Sequence, residues 1–256
     1  MSRLNASPLD LHVEEGELFL DGQEMRHQVR LLAEMAPVLE DENVLRGLDK
    51  GCPAYFMYDE AYPLEPESGL RYGLTALPPG SLGREYRKTM GHYHAVLNRG
   101  IAFPELYQVL FGEAIFMLQR RTQNGELDKA MAVQVKEGDL LWIPSAWGHV
   151  SINPGETVLV FCDLVSLSCS PDYSVYIEKH GAIYRALNDR TFEKNENYQE
   201  DLELQIRDAS TRATIEEITE GTPLPQDMVE FILSKEHILC RYLEDPKLFH
   251  GLTQPG

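Results

Sequence analysis

Short apolar runs broken by glycine and proline dominate the middle of this chain, and they predict strands rather than helices. Ala54–Tyr58, Gly73–Leu77, Leu106–Leu110, Ala114–Leu118, Ala130–Lys136, Leu140–Ile143 and Val158–Leu164 are such runs. Turn chemistry separates them at Pro78-Pro79-Gly80, Asn124-Gly125, Gly138-Asp139 and Pro154-Gly155. Many short strands at this spacing, with no alternating helices, read as an all-β sandwich or barrel. Ahead of them, Leu18–Leu20 reads as a strand closed by a turn at Gly22. Apolar residues at 25, 29, 32, 33 and 36 then have close to helical spacing, which predicts a helix over 24–39 ending near Pro37. After about Asp189 the chain turns polar and acidic: Asp201–Ala213 suits helix or strand, and Pro225–Leu243 suits a helix. The expected organisation is a β domain over 1–190, with its barrel core at about 53–184, and a mostly helical extension over 191–256 packed on the barrel.

Composition narrows the possibilities. The 256 residues are 43% hydrophobic and 25% charged, an ordinary globular balance with enough length for a full core. No apolar run is long enough to cross a membrane as a helix, and the first residues lack the apolar stretch of a secretory signal. Cys52, Cys162, Cys169 and Cys240 form no close pair in sequence and read as reduced thiols, so a cytoplasmic protein is expected. The net charge of −18 argues against nucleic acid and anionic membranes as partners. It also sets a problem for any anionic substrate, which local donors would have to hold against the overall field.

The candidate chemistry starts at His92-Tyr93-His94. In a strand, residues i and i+2 share a face, so His92 and His94 would aim two imidazoles at one point. Glu105 and His149 follow, each in its own motif: Glu105 stands ahead of Gly112, and His149 sits in Gly138-x5-Pro144-x4-His149-x3-Asn153. Three imidazoles and a carboxylate suit a first-row divalent metal with positions left open for a bidentate substrate. A lone histidine is more often structural, and His12, His27, His180, His237 and His250 are read that way.

These two motifs resemble the paired motifs of cupins, with a long loop between His94 and Glu105. The stretch Leu74-Thr75-x3-Pro79-Gly80-x2-Gly83-x-Glu85-x2-Lys88-Thr89-x-Gly91-His92-x-His94 resembles the archaeal-type, cupin glucose-6-phosphate isomerase family more closely still. So do Pro104-Glu105-x-Tyr107 and Pro144-x2-Trp147-x-His149. The resemblance covers about Tyr55 to Tyr173 and implies a double-stranded β-helix barrel. It implies one divalent metal held by His92, His94, Glu105 and His149: iron in the cell, with Mn2+, Ni2+ or Zn2+ as other occupants. It implies interconversion of glucose 6-phosphate and fructose 6-phosphate, with Thr75, Thr89, Gly91, Tyr55 and Tyr173 about the substrate. Glu105 and Tyr107 would serve the reacting carbons. A homodimer is the expected assembly, since pairing covers exposed strand edges. At Val165 and Pro171 the chain departs from members that carry tyrosine and histidine there, and Arg87, Lys88 or Lys179 would then be the cations left to help hold a phosphate.

Two mechanisms are open for such an isomerase: proton transfer by Glu105 through a cis-enediol, or a hydride shift. Two other functions use the same ligand set. A cupin dioxygenase would consume oxygen, and a non-catalytic cupin would bind sugar phosphate without turnover.

Overall fold

The structure is a computed structural model. It describes residues 2–4, 10–14, 17–20, 22–49, 51–59, 61–62, 64, 68–95 and 102–211, together with Met228 and Leu243. Four short strands, β1 (Ser2–Leu4), β2 (Leu11–Glu14), β3 (Glu17–Leu20) and β4 (Gln23–Glu24), form an antiparallel meander at the N-terminal side. Next come β5 (Gln28–Leu31), helix α1 (Leu32–Met35) and two 3-10 turns at Ala36–Val38 and Glu42–Leu45. The strand at Leu18–Leu20 is therefore present, but the helix expected over 24–39 is not. Its first half pairs as strand, Gln28 opposite Met57 and Arg30 opposite Tyr55, and only one turn of α-helix remains. A partner strand overrode the local spacing, which is the usual way tertiary pairing defeats a periodicity signal. Pro37 falls in the 3-10 turn, where its missing N–H costs nothing.

The barrel strands follow: β6 (Pro53–Tyr58), β7 (Leu70–Leu77), β8 (Ser81–Leu82), β9 (Glu85–Tyr86), β10 (Tyr93–His94), β11 (Glu105–Phe111) and β12 (Glu113–Arg121). After them come β13 (Leu127–Lys136), β14 (Leu140–Ile143), β15 (Trp147–Ile152), β16 (Leu159–Ser166) and β17 (Pro171–Asp172). Helix α2 (Ser174–Glu178), β18 (Tyr184–Ala186), β19 (Phe192–Lys194) and β20 (Leu204–Asp208) complete the described chain. One sheet runs in the order β14-β11-β16-β7-β6-β5, the other β15-β12-β13-β20. Every pairing in them is antiparallel except β13 with β20. This is the all-β cupin barrel. Its central strands β7, β11 and β16 are buried almost throughout, on both faces, which is why they read as continuous apolar runs instead of alternating ones.

Asp201–Ala213, open between helix and strand, contributes β20 to the second sheet. The helix expected over Pro225–Leu243 and the loop between Ala95 and Pro104 lie largely outside the described residues. Met228 and Leu243 are helical and fully buried, and the Met228 N–H donates to Gln108 Oε1 at 3.4 Å. Cys52, Cys162 and Cys169 are free thiols. Among the described residues no helix is long and apolar enough to cross a membrane.

β10 and α2 pack closely on Gly148 in β15. A Cβ there would stand 2.6 Å from the Tyr93 ring and 2.8 Å from the Tyr176 hydroxyl. Gly148→Ala should therefore lower stability by about 1–3 kcal/mol, the usual cost of overpacking a filled core. Urea unfolding would read this as a lower midpoint at unchanged slope; an unshifted midpoint would mean that Tyr93 is not packed against this strand.

Candidate metal centre and substrate cavity

The segment before His94 does not form a long strand, yet its backbone is pinned to β15. Thr89 N–H donates to Ser151 O at 2.8 Å, and His92 and His149 exchange both backbone bonds, at 3.1 and 3.0 Å. Gly91 lies between these two ties at φ +78°, a conformation that favours glycine. A Cβ there would also stand 2.4 Å from Val150 and 2.7 Å from Tyr176. The chain after Gly91 then enters β10, with His94 opposite Pro171 of β17. His92, His94 and His149 come together as a result: the ring centres of His92 lie 4.3 Å from His149 and 5.3 Å from His94. β11 brings in Glu105.

Nitrogen and oxygen ligand atoms of His92, His94, Glu105 and His149 all lie within 4.8 Å of one another, with the last three buried. The hydrogen bonds say what they are waiting for. His94 Nδ1 lies 2.6 Å from Phe103 O, and a carbonyl can only accept, so Nδ1 carries the proton. His94 Nε2 is then the nitrogen left to face Glu105, 3.1 Å from its Oε2. That oxygen is buried with no hydrogen-bond partner, and a second imidazole nitrogen, His149 Nε2, stands 3.3 Å away. Such atoms gathered in a buried site call for a cation between them. Two imidazole nitrogens and a carboxylate oxygen at one point, with His92 beside them, fit a first-row divalent metal.

Electrostatics agree. Burial pushes the Glu105 carboxyl up, but His149 and His94 outweigh it and hold the group well below the usual carboxylate range. Burial, reinforced by the neighbouring imidazoles, holds His92 well below its ordinary value, and burial also lowers His149, so both stay neutral, the form that binds metal. Burial opposes a charge on His94, but Cys169 and Glu105 prevail and raise it well above its ordinary value, so its inward nitrogen holds a proton that a bound metal would displace. Burial and the Glu105 charge keep the Tyr107 phenol well above 10, so its hydroxyl, 3.0 Å from His149 Nε2, remains protonated.

These side chains open onto a cavity of about 260 Å³. Tyr55, Thr75, Thr89, Gly91, Tyr107 and Tyr173 line the same cavity as His92, His94, Glu105 and His149, and so do Val165 and Pro171. Thr89 Oγ1 accepts the Ser151 N–H at 3.0 Å, which leaves its own proton free to donate. The Tyr173 ring lies 5.7 Å from the His92 ring.

The cations considered from sequence are not among the cavity-lining residues. Lys88 is buried in an ion pair with Glu85, Arg87 donates to Pro53 O, and Lys179 pairs with Glu178. Arg30 and Arg71 are the cations there instead; the Arg30 guanidinium lies 5.7 Å from the Tyr173 ring centre, in electrostatic contact with Tyr55, and also pairs with Glu34 at 3.0 Å on the more exposed side. Arg30 was hidden by the helical reading of 24–39; as a residue of β5 it is carried in beside Tyr55. Arg71, Asp59, Asp163 and Cys169 also line the cavity. Of these Asp163 left the clearest trace in the sequence, as a lone carboxylate within the apolar run Val158–Leu164. Burial and the Glu105 charge raise it to about 7.

The family model for glucose-6-phosphate isomerase (GPI) matches residues 29–203. Glucose-6-phosphate isomerase of Thermococcus litoralis is 30% identical over 155 residues, covering 60% of this chain and 77% of that protein. The enzyme of that name from Pyrococcus furiosus is 29% identical over 155 residues, with the same coverage of 60% and 77%. Among solved structures, vicilin from Capsicum annuum overlays 47% of this chain and 30% of its own with a TM-score of 0.36 at 14% identity. The family model spans well over half of the sequence and takes in every residue of the metal cluster and of the cavity wall named above; the chain belongs to the glucose-6-phosphate isomerase family.

Proposed function

We propose that this chain interconverts glucose 6-phosphate and fructose 6-phosphate, using one divalent metal held by His92, His94, Glu105 and His149. The observation that carries the reading is a single cavity with two chemically distinct ends. At one end imidazole nitrogens and a carboxylate oxygen converge on a point. At the other a guanidinium stands among hydroxyl groups, Arg30 with Tyr55 and Tyr173. A bound metal supplies polarisation of the carbonyl and hydroxyl oxygens at C1 and C2, which acidifies the intervening C–H bond. Iron is the metal favoured for the cell.

The residues divide the remaining work. Glu105, held ionised by the two histidines, takes the proton from one carbon and returns it to the other through a cis-enediol. Tyr107 keeps its proton and donates a hydrogen bond at the reacting end. Arg30, the free hydroxyl proton of Thr89, Thr75, and the Tyr55 and Tyr173 phenols bind the phosphate, and Gly91 lets it approach the backbone. Arg30 is what offsets the −18 net charge locally. Burial leaves the Tyr55 and Tyr173 phenols above their ordinary value, so both remain neutral donors to an anion.

Chelation should abolish isomerase activity, and Fe2+, Mn2+ or Ni2+ should restore it; activity that survives complete metal removal would sink the proposal. His149→Ala should lower metal content per chain, measured by plasma emission spectroscopy.

Glu105→Gln and Arg30→Leu should fail in different ways. The first should cost about 10²–10⁴ in kcat, the range for removing a general base. The second should raise KM for fructose 6-phosphate about tenfold or more with a smaller effect on kcat, because it removes a charge-assisted bond to phosphate. The reverse pattern in either variant would reassign that residue.

Deuterium at C2 of glucose 6-phosphate should wash out into solvent during turnover. Full retention would mean a hydride shift and remove the base from Glu105's role.

A further inference from the structure

Asp163 is the only charged residue of β16, and nothing in the reaction described so far uses it. Its place is set by register: it stands opposite Tyr107 of β11 on one side and Gly73 of β7 on the other. Directly opposed residues of antiparallel strands share a face, so Gly73, Asp163 and Tyr107 form one row across the cavity floor. Glu105 lies two residues before Tyr107 along β11, toward the metal end. Thr75, opposite Phe161, lies two residues beyond Gly73 along β7 in the other direction. The row containing Asp163 therefore runs between the metal ligand and the first of the phosphate-binding hydroxyls.

The space around this carboxyl is made for it. Gly73 has no side chain, and a Cβ there would stand 2.7 Å from Asp163 Oδ1 and 3.1 Å from Oδ2. Among the described residues none donates a hydrogen bond to Asp163. Arg71 acts on it through its charge, but the Arg71 guanidinium makes its ion pair with Asp59, at 3.1 Å. Asp163 is half-buried in the wall of the cavity, so with no protein donor on its carboxyl it is available to a ligand there. The ligand group it suits is a hydroxyl. A hydroxyl can donate to the ionised carboxylate and accept from the protonated acid, so it satisfies Asp163 in either state. A phosphate is repelled by it, which also discourages the substrate from binding end for end.

We infer that Asp163 is a specificity-determining residue that hydrogen-bonds a hydroxyl on the middle carbons of an open-chain sugar phosphate, between the metal end and the phosphate end of the cavity. The inference rests on the isomerase reading above, and the experiment separates the two. The full-length, metal-loaded chain is titrated calorimetrically with sorbitol 6-phosphate, a linear polyol phosphate, and with inorganic phosphate, which has no carbon chain. Metal content and melting temperature are measured for every variant.

Asp163→Ala should weaken sorbitol 6-phosphate about tenfold or more and leave inorganic phosphate unchanged. Asp163→Asn, which still donates and accepts, should recover part of the loss. Gly73→Ala keeps the carboxyl but crowds it out of place and should also weaken sorbitol 6-phosphate selectively; it and Asp163→Asn carry the test should Asp163→Ala fail to fold. Unchanged affinity for sorbitol 6-phosphate in these variants, or equal losses for both probes, would overturn the role of Asp163 while leaving the isomerase reading intact. A wild-type chain that binds neither probe and does not turn over fructose 6-phosphate would remove the isomerase reading and this inference with it.

Discussion

The reciprocal pair of backbone hydrogen bonds between His92 and His149 is the constraint on which the site depends. The two residues belong to motifs far apart in sequence, and only this pairing makes them neighbours. It fixes the ring separation, and through β10 it fixes where His94 can point. Gly91 makes it possible, because a left-handed residue there lets the segment turn from its tie at Thr89 to its tie at His92 while Val150 and Tyr176 close over it. Glu105 then completes the cluster from a strand in the opposite sheet. The candidate metal centre is thus built across the barrel, and its rigidity is that of the two sheets.

That arrangement has an electrostatic cost, and the fold directs it. Burying a carboxylate beside three imidazoles costs several kcal/mol unless a cation joins them. Burial keeps His92 and His149 neutral, while His149 and His94 outweigh burial at Glu105 and keep it ionised, the state suited to coordination. Anchoring His94 through Nδ1 on the Phe103 carbonyl turns its other nitrogen inward. A strongly acidic protein can still present positive charge inside a cavity, because strand position and not the overall balance decides which groups line it. Arg30 and the neutral phenols lie at one end, Glu105 and Asp163 toward the other.

The parts of this site that were legible from sequence were those carried by short-range rules. An i, i+2 histidine pair must share a face of an extended chain, and Gly138, Pro144 and Asn153 mark the hairpin that delivers His149. The strand runs of the barrel announced themselves because both faces are covered. Arg30 was not legible, since the spacing of Met25, Val29, Leu32 and Ala36 suits a helix as well as an edge strand followed by a single turn. The difference is decided by β6, a partner more than twenty residues on. For the same reason Arg87, Lys88 and Lys179 looked available to a phosphate until the fold gave each of them another partner.

By itself, then, the sequence determined the class of fold and the family, and it picked out the four residues that cluster as candidate metal ligands, because residue type, turn residues and strand period are properties of neighbouring positions. Only the tertiary structure decided which charges face the cavity. Arg30, Arg71 and Asp163 reach it because β5, β7 and β16 lie side by side or nearly so in one sheet, and Gly73 leaves room for the Asp163 carboxyl beside it. Sheet order and register are long-range choices made by the packing of the whole barrel, and no local pattern in the chain records them.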